Sequence, residues 1–128
     1  MIYDALTEVL VDAIPEFTGG ASIFVNQAPV EAVFCGLFRD GAGGFEIDGY
    51  TPTERSGEFT FVVRGKVRPT LVSVINRVSS ALTINGLLVD GCLIKACRPL
   101  TEPVYYKISV GNMQEISVNF FVNYGIVQ

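Results

Sequence analysis

The stretch 58–82, EFTFVVRGKVRPTLVSVINRVSSAL, constrains the fold most, because its apolar period changes halfway along. Phe59, Phe61 and Val63 alternate with Thr60, Val62 and Arg64, which predicts a strand with one strongly apolar face and one mixed face. After the link Gly65-Lys66-Val67-Arg68, the residues Leu71, Val74, Ile75, Val78 and Leu82 recur at helical spacing and make one stripe. Pro69 suits the first helical position, where its missing N–H costs no hydrogen bond. Val67 and Val72 stand where a hydrophobic staple would form, whereas Arg68, at the cap, offers the first amides no acceptor. The reading is a strand feeding a helix that packs back onto its sheet.

A chain of 128 residues is most simply one domain, 1–128, and at 49% hydrophobic and 17% charged it is no disordered tail. No apolar run approaches the ~18–20 residues that a membrane helix needs. The start, Ile2-Tyr3-Asp4, has no basic region of the kind that opens a signal peptide. An apolar surplus of this size has to be covered, and subunit interfaces are where such chains cover it. The net charge of −4 argues against a surface that coats nucleic acid. Arg64, Lys66 and Arg68 come close together on alternate positions, and read as a solvated edge rather than a phosphate site.

Cys35, Cys92 and Cys97 are an odd number, which points to reduced thiols buried as small hydrophobes. Four residues separate Cys92 from Cys97 and the chain has no histidine, so a metal site would lack ligands and a nucleophile would lack its usual base. Asp40, Glu46 and Asp48 lie in a glycine-rich stretch and read as solvated acids rather than a catalytic pair. No enzymatic activity, cofactor or metal is expected.

In chain order, a helix is expected over 3–14, with Asp4 as its N-cap and Pro15 as its stop. A turn at Thr18-Gly19-Gly20 leads into a short strand at 22–26, which Pro29 ends. A second strand over 31–38 sets Val33, Cys35 and Leu37 against Phe34, Gly36 and Phe38, both faces apolar. The stretch 40–57 reads as a long, mobile, acid-biased loop carrying Asp40, Glu46, Asp48 and Glu54. Past the central helix, Gly86 is a plausible helix cap, Asp90-Gly91 a hairpin turn or bulge, and Pro99 a strand end. Val104, Tyr106 and Ile108 alternate in a further strand, before a turn at Gly111-Asn112. Ile116, Val118, Phe120, Val122 and Tyr124 face one way along the last strand, with Ser117, Asn119, Phe121 and Asn123 opposite. The expected class is α+β: a mainly antiparallel sheet with two helices on one side.

The order of these elements, with Thr18-Gly19-Gly20 leading into Ser22-Ile23-Phe24-Val25-Asn26-Gln27, the strand Phe59-Thr60-Phe61-Val62-Val63-Arg64 and the ending Ser117-Val118-Asn119-Phe120-Phe121-Val122-Asn123-Tyr124, resembles a known group over nearly the whole chain. It is similar to the tail-terminator, or tail-completion, proteins of long-tailed bacteriophages and to the related phage minor capsid proteins of the neck. That resemblance implies a virion subunit, assembled in the bacterial host cytoplasm. Such subunits form homo-oligomeric rings, typically hexamers, that cap the tail tube and join it to a head-completion or connector protein. DNA passes through such a ring without specific binding. Head-completion and tail-tube subunits share these traits.

Two readings remain at this level. A ring subunit would self-associate through sheet edges and through the apolar faces of 31–38 and 115–124, with Phe34, Phe38 and Phe121 at the interface. The acids Asp40, Glu46, Asp48 and Glu54 would then face the channel or a docking neighbour, or hang in solvent on the outer rim. The alternative is a small cytosolic ligand-binding α+β domain, with Tyr105, Tyr106 and Tyr124 lining an apolar pocket.

Overall fold

The computed structural model describes residues 2–17, 22–28, 34–51, 53–107 and 113–127. The expected turns at 18–20 and 111–112, the strand stop at Pro29 and the positions Val33 and Ile108 lie outside them. Among the described residues the order is α1 (Ile2–Ala13), β1 (Ile23–Val25), β2 (Cys35–Ile47), β3 (Glu54–Gly65), α2 (Arg68–Ala81), β4 (Leu87–Val89), β5 (Cys92–Pro99), β6 (Val104–Lys107) and β7 (Gln114–Ile126). The class is α+β, and every strand pair but β1–β2 is antiparallel.

The sheet is built about β7, the strand with the cleanest alternation. One edge of β7 pairs with β3 from Glu54↔Gly125 to Gly65↔Gln114. Its other edge pairs with β5 from Cys92↔Ile126 to Pro99↔Phe120, and then with β6 from Val104↔Ser117 to Lys107↔Gln114. β5 and β6 are thus one antiparallel run interrupted at 100–103. Pro99 and Pro103 bracket the interruption, and proline has no N–H to give a ladder. Outward from β3 lie β2 and then β1; outward from β5 lies β4.

Both helices cover the face made by Phe38, Phe59, Phe61, Val63 and alternate residues of β7. Leu71, Val74, Ile75 and Val78 of α2, then Leu82, are buried as the stripe predicts, and Ile2, Ala5, Leu6 and Leu10 do the same for α1. Each Val, Leu or Ile side chain among them, fully buried, stabilises the fold by about 1.5–3 kcal/mol. The helix ends differ from expectation. α2 starts at Arg68 with Val67 as its cap and no side-chain capping bond, and Val67 and Val72 are 58% and 38% exposed, so no staple forms. Asp4 lies inside the first turn of α1. Gly86 has φ +84° but sits beyond Leu82, the residue that caps α2, and belongs to the approach to β4.

The largest correction concerns 40–57. It is a β-hairpin, with 40–47 in β2, 54–57 in β3 and only 48–53 between them. Glycine content reads as a loop, whereas Gly41 and Gly57 serve the close approach of the two strands and Gly44 takes a left-handed φ of +64° in the open. A Cβ on Gly57 would lie 2.6 Å from the Phe45 ring and 2.8 Å from the Gly44 carbonyl oxygen; on Gly41 it would lie 2.4 Å from the Glu58 oxygen. The pairing slips between Asp40 and Phe45, where 41–44 oppose Glu58 alone in an enlarged bulge. At the tip, Asp48 accepts bonds from the amides of Tyr50 (2.8 Å) and Thr51 (3.2 Å). At Asp90-Gly91, φ values of +48° and +73° match the tight two-residue hairpin turn whose twist suits flanking strands.

Candidate assembly surface

The sheet face turned away from the helices is mixed in character. Strand parity brings Leu37, Thr60, Val62, Ser117, Asn119 and Phe121 onto it. Thr60 Oγ1 donates to Asn119 Oδ1 at 2.6 Å, and the Asn119 backbone N–H donates to Thr101 Oγ1 at 3.4 Å. Glu115 is buried and therefore needs a partner. Arg64 Nε supplies it at 3.1 Å, and Arg39 adds a second guanidinium at 4.0 Å. Two open depressions mark this face. One, of about 560 Å³, lies between the bulge and Phe121; the other, of about 540 Å³, lies between Arg39, Tyr106 and Glu115.

Of the three phenylalanines expected at an interface, only Phe121 is on this face, half-buried, with the Arg98 guanidinium 5.8 Å from its ring centre. Phe34 and Phe38 point to the helix side. Phe38 is fully buried, 4.9 Å from Tyr3, 4.8 Å from Phe61 and 5.6 Å from Phe59 between ring centres, and Phe34 stacks on Phe17 at 5.8 Å. With both faces of that strand apolar, its sequence carries no marker of which face meets the helices. Pairing of Phe38 with Phe61, and of Phe61 with Val118, decides it.

The four acids do not form one group. Asp40 accepts a hydrogen bond from the Tyr3 hydroxyl and another from Asn26 Nδ2 at 3.0 Å, and its amide donates to Asn26 Oδ1 at 3.2 Å. It is therefore a clasp joining α1, β1 and β2. Burial, and then this bond to a carboxylate, hold the Tyr3 phenol well above its usual range. Glu54 is ion-paired with Lys95, and Asp48 is spent on the hairpin turn. Glu46 is exposed on the hairpin, beside the first depression. Asn26 carries the one signal that could have revealed the clasp: it is the residue type, after glycine, that best tolerates the left-handed region it occupies at φ +63°.

The tyrosines do not converge on a pocket. Tyr124 is buried against Phe45 at 5.9 Å, Tyr105 lies under the Arg68 guanidinium at 4.5 Å, and Tyr106 is exposed on the opposite face. The three cysteines are buried and free. Burial pushes the Cys97 thiol up to about 12, and raises Cys35 and Cys92 as well. Among the described residues, no three His, Cys, Asp or Glu side chains are grouped to hold a metal ion, and no helix is long and apolar enough to cross a membrane.

No protein-family model matches the chain, and no curated protein matches it in sequence. The fold does match a solved one. It aligns with a chain from the virion of a native gene transfer agent (GTA) particle at a TM-score of 0.64, covering 96% of this chain and 96% of that one. The likeness is one of fold. At 14% identity, most aligned residues of the two chains differ.

Proposed function

We propose that this chain is a structural subunit of a tailed-phage or phage-like virion: a tail-terminator protein that forms a ring where the tail meets the head. The observation that carries this reading is the likeness in fold to a virion chain over 96% of each of the two chains. The distribution of chemistry supports it. Polar side chains on the outer sheet face are bonded to each other, and the buried acid there is neutralised by arginine, which suits contact rather than turnover.

In this reading the ring meets itself, the tail tube below and a head-completion protein above, and Phe121 lies at one of these contacts. The hairpin tip reaches towards the lumen or the next ring, with Ile47 61% exposed and Tyr50 wholly exposed. A carboxylate such as Glu46 repels passing DNA, whereas a cation there would hold it by releasing counterions. Disrupting the gene in the host that carries it tests the assignment. Filled heads and separate, unjoined tails are expected under the electron microscope; complete particles in normal number would refute it. Glu46→Lys should leave particles joined and slow DNA delivery.

A further inference from the structure

Among the described residues the sheet ends at β4, which pairs with β5 on one side only and leaves Leu87 and Leu88 40% and 61% exposed. Helix α1 passes beside it. Together they enclose an open groove of about 420 Å³ lined by Glu8, Val9, Asp12, Leu87, Leu88 and Asp90. Val9, Leu87, Leu88 and Val89 supply its apolar lining, its three charged residues are all acids, and all three are exposed. An unpaired strand edge with exposed leucines is a place where a partner docks. The charges say what kind: one that brings cations around an apolar centre.

The chain itself carries such a surface where the link after β3 passes into the start of α2. Val67 and Val72 are exposed there beside Lys66, which is exposed and makes no ion pair with a described residue. Arg68 is exposed too, its guanidinium held over the Tyr105 ring. Other exposed apolar side chains fit the groove less well: Ile47 and Tyr50 at the hairpin tip bring Glu46 and Asp48, which would set acid against acid, Val104 and Tyr106 flank a depression whose Arg39 is already turned to Glu115, and Val25, Leu100 and Val127 stand apart from them. We propose that the α1–β4 groove receives the 66–68 link of a second copy of this chain. The inference rests on the self-association in the proposed function and gives it a pair of surfaces. The two surfaces differ, so the contact runs head to tail and continues until rotation closes it.

Sedimentation of the full chain over a concentration series, with Lys66→Glu, Asp12→Lys and their equal mixture beside it, tests the charge match. Both substitutions are at exposed positions, and circular dichroism checks that each variant is folded. The parent should associate, less tightly as salt rises; each variant should associate about tenfold more weakly, and the mixture should recover. A second arm oxidises Val67→Cys mixed with Leu88→Cys, the native thiols being buried. A disulfide-linked pair should form in the mixture and in neither variant alone. If the parent associates but both charge variants match it, or if Leu88→Cys links to itself, the groove assignment is overturned while self-association stands. A parent that stays monomeric at every concentration overturns both, leaving the virion reading to the particle experiment.

Discussion

The placement of Phe38 against that of Phe121 offers the sharpest test of which sheet face is core. Phe38→Ala removes a ring that is fully buried among Tyr3, Phe59 and Phe61. The helices are pinned above it, so the space cannot close. Loss of transfer energy plus the residual cavity gives about 3–5 kcal/mol for a buried Phe→Ala change. For 128 residues, an unfolding entropy of about 2.1 cal/mol/K per residue makes each kcal/mol worth about 4 °C, so Tm should fall by about 11–19 °C. Phe121→Ala removes a half-buried ring that leans on Arg98, and should cost no more than about 1 kcal/mol in the isolated chain. Thermal and urea unfolding, followed by circular dichroism, read both values. A Phe38→Ala protein within about 4 °C of the parent, or a Phe121→Ala protein that falls as far as Phe38→Ala, would refute this facing of the sheet.

Gly57→Ala should destabilise by about 1–3 kcal/mol, because the new methyl meets the Phe45 ring and the Gly44 carbonyl. Hydrogen exchange should quicken in the hairpin arms first, and unchanged exchange there would count against a paired hairpin. Cys97 should resist alkylation in the native protein at pH 8 and react only on unfolding, since burial holds its thiol up to about 12. In the unfolded chain the same thiol ionises at about 8.5, so its contribution to stability is whole below that pH and is lost as pH climbs towards about 12. Cys97→Ala should flatten that part of the stability–pH curve.

Periodicity made much of this fold legible. The stripe of α2 and the alternation of β7 each carry their own face assignment, since polar residues mark the opposite side. That marker is missing in β2, where Cys35, Gly36, Leu37 and Phe38 are all buried, so its facing follows only from the strand it pairs with. Composition misled at 40–57, because glycine is as much the residue of tightly apposed strands as of loops, and only the partner strand distinguishes them. The site was less legible still. Asp40 looks like any loop acid until α1 and β1 bring Tyr3 and Asn26 to it, and the α1–β4 groove joins residues far apart in the chain whose local patterns are ordinary alone.

The central position of β7 also sets the order in which the fold can appear. Its partners are distant: Thr60 bonds a residue 59 positions away, and Arg64 one that is 51 away. The hairpins β2–β3 and β4–β5 close over short turns, within about 1–10 μs for such units in isolation. Neither is more than half a sheet. They cannot join until the last strand in the sequence enters between them and closes loops of that length, a non-local step of the kind that puts folding at about milliseconds to seconds. During that interval Phe59, Phe61 and Cys97 lack the β7 strand beside them. Where many copies are made at once, these uncovered apolar edges can pair wrongly between chains, and the arrival of β7 is what ends the hazard.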